Sequence, residues 1–203
     1  MEDRPIAIKG LETRLIRTFG TVGGYGVFDC YFHRGLLWQP AERAADAKMP
    51  VRRISALRDR VPSWSWMRYE GAIKYLDVPF GDVSWDWGIT SPFLSEVGEG
   101  DVVSMAHDGR DTVAIQATAF KLADPSVSYN MLDEPFWEML QTPVCVIVGR
   151  SKRPTSDRAR MHYVLLVSLV ESRDGPNIFE RVGVGCLQSS EIASQVPGKI
   201  YIR

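Results

Sequence analysis

The chain has 203 residues, 45% of them hydrophobic and 24% charged, and its 24 Lys and Arg against 25 Asp and Glu leave a net charge of -1. This composition excludes collagen-like, disordered and disulfide-scaffold chains, and it gives no global attraction to nucleic acid or to an anionic membrane. The length suits a single domain over 1–203, with an N-terminal helix at 1–20, a β-rich core at 21–188 and a C-terminal helix and tail at 189–203.

The first element reads as a helix, because Ile8, Leu11, Leu15, Ile16 and Phe19 recur at helical spacing opposite Glu12, Arg14 and Arg17. Gly20 ends it, and Gly23, Gly24 and Gly26 follow closely. A phosphate-cradling loop needs a strand before its glycines and a helix after them. Here the order is reversed, so these glycines predict a turn into a strand. Strands are then expected over 26–32, 65–69, 72–78, 102–106, 112–122, 143–148, 161–170 and 178–187. Clean alternation over 112–120 predicts a strand with one wet face, whereas the continuous apolar run Val164-Leu165-Leu166-Val167 predicts burial on both faces. Further helices are expected at 134–140 and at 190–195, the latter capped by Ser189. The residues thus predict a mainly β fold with a few short helices (α+β). Its form is an antiparallel β-barrel or sandwich with the N-terminal helix packed on it.

Residues 1–5 are charged and no apolar leader segment follows, and the longest apolar runs fall far short of the roughly 18 residues a membrane span needs. Cys30, Cys145 and Cys186 are odd in number and widely spaced, which predicts free thiols in a reducing, cytoplasmic compartment. With three scattered histidines and no Cys-x-x-Cys, neither a metal nor a cofactor is expected. P-loop, Gly-x-Ser-x-Gly, His-Glu-x-x-His and dinucleotide signatures are all missing.

Four groups of residues carry possible chemistry. Trp64 and Trp66 lie two apart, as do Trp85 and Trp87, so on strands each pair shares a face, with Ser63 and Ser65 opposite the first. Core packing is the simplest reading of these rings. A pocket for a planar or cationic ligand, also using Trp38, and base stacking are the alternatives. Asp77, Asp82 and Asp86 surround Pro79-Phe80-Gly81, with Glu70 just before. They serve either as turn-capping aspartates or as carboxylates that bind an amine or act as a general base. His33 and Arg34 could contact an anion, but on an extended strand Cys30 and His33 would face opposite sides, which argues against a thiol–imidazole pair. Finally, Lys152, Arg153, Arg158 and Arg160 form the densest basic cluster, either a solvated loop or an anion or RNA contact.

Several words recur in a telling order: GLLW at 35–38, VPSWSWM at 61–67, YEGAI at 69–73, YLDVPFG at 75–81, HYVLLV at 162–167 and FERVGVG at 179–185. This series resembles the region that follows the HET domain in fungal heterokaryon-incompatibility proteins, over roughly residues 8–190. The HET domain itself has no counterpart here, so the resemblance implies a fungal source and a related fold, and it transfers no effector role and no catalytic residue.

Two functional expectations follow. The first is a free-standing module of this HET-associated type, acting through an unknown protein partner by an exposed aromatic patch that involves Trp38 or Trp137. The second is a small cofactor-independent enzyme of secondary metabolism, a transferase or cyclase acting on a small molecule. In that reading Asp82, Glu70, His33 and Arg34 are catalytic, and Trp38, Trp64, Trp66, Asp77, Trp85 and Asp86 bind substrate. Its most concrete version is aminoacyl-tRNA-dependent amide or cyclodipeptide formation, with tRNA held by the basic cluster.

Overall fold

The computed structural model describes residues 4–41, 51–58, 60–86, 88–93, 104–107, 110–126, 133, 142–154, 160–171 and 177–203. The expected first helix is α1 (Arg4–Phe19). Gly20 takes a φ of 58° and the Thr21 amide reaches back to the Ile16 carbonyl at 3.2 Å, so a left-handed residue closes the helix. Leu15 and Ile16 are half-buried, whereas Leu11 and Phe19 from the same stripe stay exposed.

A tight hairpin follows, β1 (Gly23–Gly24) against β2 (Val27–Phe28). Its two turn residues, Tyr25 and Gly26, have φ values of 57° and 76°, as a two-residue turn matched to strand twist requires. A tyrosine there is strained, and neighbours hold it. The Gly26 amide donates to Glu12 Oε1 at 2.8 Å, Ser65 Oγ donates to the Tyr25 carbonyl at 2.6 Å, and Trp66 Nε1 donates to the Gly26 carbonyl at 3.2 Å. Only glycine fits the second position, because a Cβ there would sit 2.5 Å from the Trp66 indole nitrogen.

The expected strand over 26–32 stops after β2. Asp29–Tyr31 form a 3-10 turn that runs into α2 (Phe32–Gly35). Phe32 and Leu36, four apart, both bury on this short helix, and that spacing prevails over the extended reading. The strand expected over 65–69 is corrected similarly. Ser65 Oγ accepts from the Met67 amide at 3.1 Å and caps a 3-10 turn at Trp66–Arg68. Trp64 and Trp66 therefore do not share a strand face. Ser63 and Ser65 are buried along with Trp64, each bonded to backbone.

Besides the β1–β2 hairpin, the described residues form three further two-stranded ladders. They are β3 (Trp38–Pro40) with β6 (Ile73–Tyr75), β4 (Arg52–Arg53) with β5 (Tyr69–Glu70), and β9 (Ser104–His107) with β10 (Arg110–Val113). The main sheet contains β7 (Val83–Trp85), β8 (Ile89–Thr90), β11 (Ile115–Ala117), β12 (Ala119–Leu122), β13 (Val144–Ser151), β14 (Met161–Glu171), β15 (Ile178–Gln188), β16 (Ile192–Gln195) and β17 (Ile200–Ile202). Its order is β16-β12-β13-β14-β15-β17-β11-β8, with β7 also pairing with β13. Every pair is antiparallel except β15 with β17.

The fold is mainly β, as the sequence predicts, with two α-helices among the described residues, and no ladder closes the sheet among them. It is an open sheet, and the barrel alternative is set aside. The sheet is strongly curled all the same. β11 and β12 are separated by Thr118 alone and serve distant positions in the strand order. The single long strand expected over 112–122 is thus β10, β11 and β12 in sequence. Burial of Ile115, Ala117 and Ala119 keeps the predicted period of two across the break.

The helix expected at 190–195 is also replaced. Ser189–Glu191 form a 3-10 turn capped by Gln188, not Ser189, and Glu191 Oε2 accepts from the Gln188 amide at 2.6 Å. The chain then extends as β16 to pair with the edge of β12. The expected helix at 134–140 and residues 102–103 lie outside the described residues.

Two apolar clusters lie on the two faces of the sheet. Tyr163, Leu165 and Val167 of β14 join one, with Trp64, Leu36, Leu37, Val184 and Ile200, and Val164 and Leu166 join the other, with Cys145 and Ile147. This is the two-sided burial that the Val164–Val167 run predicts.

Candidate functional site

The turn between β6 and β7 is held on both flanks. From α2, Arg34 Nη1 donates to the Val78 carbonyl at 2.9 Å and Nη2 donates to the Pro79 carbonyl at 3.0 Å. From the far end of β13, Lys152 Nζ donates to the Gly81 carbonyl and its amide donates to the Asp82 carbonyl, both at 2.7 Å. Four carbonyls of one short turn are thereby fixed, and Gly81 supplies the positive φ of 80° it needs. At its tip Phe80 is 84% exposed, yet its ring lies 4.1 Å from the Arg34 guanidinium carbon, a cation–π contact. An aromatic ring is thus presented to solvent in a fixed position.

Beside Phe80 runs an apolar groove of about 400 Å³, walled by Val27, Phe28, Tyr31, Tyr75, Leu76 and Val78. Tyr31 and Tyr75 are exposed like Phe80, and Phe19 stands edge-on to both Phe28 (6.4 Å) and Tyr31 (6.3 Å). Aromatic surface therefore continues from the groove to the end of α1. A few exposed rings are ordinary on a protein surface; here several adjoin one groove.

A second cavity of about 260 Å³ shares Tyr31, Arg34 and Phe80 with this groove and is also lined by Asp29, Cys30, His33 and Trp85. His33 stacks on Trp85 at 5.6 Å and its Nε2 lies 3.0 Å from the Asp86 carbonyl. A carbonyl only accepts, so Nε2 carries the proton. Burial moves the His33 pKa below its ordinary 6.5, against the pull of the Asp86 carbonyl and nearby carboxylates. The Asp86 carboxylate accepts from Arg150 Nη2 at 2.8 Å and from the Gly88 amide at 2.7 Å. His162, on β14 beside Arg150, is likewise lowered, first by burial and then by the Arg150 charge.

These two histidines make stability fall with acid. The unfolded rings take up protons near pH 6.5 while the folded rings resist until lower pH, so their contribution is full above about pH 6.5 and shrinks as pH drops through the folded values. The urea midpoint is expected to decrease between about pH 7.5 and about pH 5.5. A His33→Gln, His162→Gln double variant should show a smaller decrease, and an equal one would remove this account.

No family model, curated protein or solved structure matches the chain.

The sequence-derived site residues separate into several places. Arg34 spends its guanidinium on two carbonyls, and Asp82 is half-exposed, 3.8 Å from the exposed Arg153. Glu70 sits away from both on β5, facing Arg52 across the ladder at 3.2 Å. His33, Arg34 and Asp82 are thus neighbours of one turn, and Glu70 is not among them. Asp77 is exposed on the approach to that turn, while Trp85 and Asp86 hold His33. Trp64 is core, edge-on to Tyr25 (5.8 Å) and Phe93 (6.1 Å), and Trp66 braces the hairpin.

Trp38, expected on an exposed patch, is fully buried between the Arg181 guanidinium at 3.5 Å and the Tyr69 ring at 4.9 Å. The exposed aromatic surface instead centres on Phe80, Tyr31 and Tyr75. Trp87, Trp137 and Arg158 lie outside the described residues, and Arg160 is exposed. Among the described residues no group of three His, Cys, Asp or Glu side chains is placed to hold a metal, and no described helix is long and apolar enough to cross a membrane.

Beneath this surface lies an ionic layer that the sequence reading passed over. Glu180, nearly buried, faces Arg53 and Arg68 at 3.2 Å and Arg203 at 3.6 Å. The next residue, Arg181, pairs with Asp133 at 3.2 Å, both of them buried. It also donates to the Leu36 carbonyl at 3.1 Å and to the Trp38 carbonyl. Burial raises Asp133 and lowers Arg181 from their ordinary values while each opposes the other's shift, and it pushes the Tyr69 hydroxyl up to about 12. Two adjacent charges inside the apolar segment around Ile178, Phe179 and Val182 were the available signal.

Proposed function

We propose that this chain is a protein-interaction or regulatory module of the type that follows the HET domain, working in the cytoplasm of a fungal cell. It docks a partner on the groove beside Phe80. The observation that carries this reading is the rigid display of Phe80. Its turn is bonded on both flanks, so little conformational freedom is lost when a partner covers the ring. Exposed aromatic anchors beside an apolar groove are the side chains that dominate binding energy at interfaces.

The test compares the wild type with Phe80→Glu as bait in a fungal extract, with captured proteins quantified by mass spectrometry. Phe80 is so exposed that the substitution should change stability by no more than about 0.5 kcal/mol. Capture of the specific partner should fall at least about 30-fold, the equivalent of about 2 kcal/mol at an anchor position. Equal capture by both baits would remove the groove from the account.

The tRNA-dependent enzyme reading draws less support from the same geometry. Lys152 is bonded to the Gly81 carbonyl, Arg153 faces Asp82 and Arg150 faces Asp86, so an RNA backbone would compete with contacts already made.

A further inference from the structure

The geometry points to a second copy of this chain as the occupant of the Phe80 groove. The two copies meet about a two-fold axis, and the Phe80 ring of each is seated in the groove of the other. This inference rests on the docking reading above and names the partner in it.

A two-fold interface joins one patch to itself, so the patch has to carry both a projection and the recess that receives it. The turn at 78–82 meets that condition. Phe80 projects at its tip, and the groove of about 400 Å³ opens immediately beside it. A ring has room to enter, because a cavity of about 150 Å³ already holds benzene. Buried Val27 and Leu37 line the recess, and exposed Tyr31 and Tyr75 stand at its rim. Arg34 is the charged residue among its lining, and its guanidinium is already bonded to the Val78 and Pro79 carbonyls. An entering ring leaves those bonds in place. Pinning of the turn by Arg34 and Lys152 lowers the ordering cost in both copies at once.

The exposed apolar surface is gathered where such a contact needs it. Among the described residues the exposed large apolar side chains are Leu11, Phe19, Val22, Tyr31, Tyr75 and Phe80. Three of these line the groove, and Phe19 stands edge-on to Tyr31 at 6.3 Å. The Val22 carbonyl accepts from the amide of Asp29, two residues before Tyr31. At ~150–250 Å² for a whole aromatic side chain, the exposed parts of the four rings offer roughly 350–600 Å² per copy. Val22 and the groove wall add to this, which approaches the ~800 Å² that each partner gives to a stable interface. A net charge of -1 leaves little repulsion between copies. An interface at the small end of the stable range gives a dissociation constant on the order of 10 µM.

The test is sedimentation equilibrium of the purified full chain from about 1 to about 200 µM. The wild type should pass from monomer to dimer across that range. Each substitution enters a two-fold interface twice, so Phe80→Glu should raise the dissociation constant at least about 100-fold. Its near-ultraviolet circular dichroism should stay that of the wild type. Lys121→Glu, exposed on β12, should dimerise as the wild type does. In an equal mixture of ¹⁴N- and ¹⁵N-labelled chains carrying p-benzoylphenylalanine at position 80, irradiation should give dimers of mixed mass. Their cross-links should fall on the groove residues between 26 and 37 or between 75 and 78.

A wild type that stays monomeric, a Phe80→Glu dimer as tight as the wild type, or cross-links away from the groove would overturn the second-copy assignment. A monomer whose capture of proteins from the extract still depends on Phe80 would overturn this assignment alone. A monomer whose capture is indifferent to Phe80→Glu would remove docking at the groove as well.

Discussion

Replacing Arg181 by alanine should cost about 3–5 kcal/mol, a large share of the roughly 5–15 kcal/mol that holds a domain of this kind together. The reason is what the substitution leaves behind. Asp133 would remain buried without its 3.2 Å partner, and the Leu36 and Trp38 carbonyls would each lose a donor in an interior that water does not reach. Trp38 would also lose the cation stacked on its face. Urea unfolding at neutral pH measures the loss. A paired replacement, Arg181→Met with Asp133→Leu, removes both charges and should recover much of it, because an apolar pair of similar volume needs no compensation. If the double variant is as unstable as the single one, the loss reflects shape and not charge.

Glu180→Gln is the second large effect, at about 3 kcal/mol. Glu180 is the shared anion of Arg53, Arg68 and Arg203. Arg53 and Arg203 are partly exposed and can turn to water, but Arg68 is 2% exposed and would keep its charge inside. Adding Arg68→Met to Glu180→Gln should therefore restore part of the urea midpoint, whereas adding Arg203→Met should not. Equal responses to the two additions would show that burial of Arg68 does not set the cost.

The long strands were legible in the sequence because burial on both faces writes an unbroken apolar run. Residues 143–148, 161–170 and 178–187 became β13, β14 and β15 with ends extended by a few residues. Short elements were not legible. A two-residue strand such as Val27–Phe28 has no period, and its continuation depends on whether a partner edge is available. Burial of Phe32 and Leu36 four apart then favours a helical turn. At the other end, the free edge of β12 draws 192–195 into a ladder although its residues suit a helix.

The candidate site was half legible. Pro79-Phe80-Gly81 was recognised as a turn, and its neighbouring aspartates drew the functional reading. The informative residue was Phe80 itself, an aromatic at a turn tip. That it is pinned by Arg34 and Lys152 depends on contacts 44 to 71 residues apart in sequence, which no local pattern records. The buried pair at Arg181 and Asp133 spans 48 residues and was hidden for the same reason.

The most direct test of the central claim places the photoreactive p-benzoylphenylalanine at position 80 and irradiates living fungal cells that express the chain. A partner seated on the groove predicts a light-dependent adduct with one other protein, absent when the same group replaces the exposed Lys121 on β12. Irradiation that yields only the unmodified chain, or the same adducts from both positions, would contradict docking at Phe80.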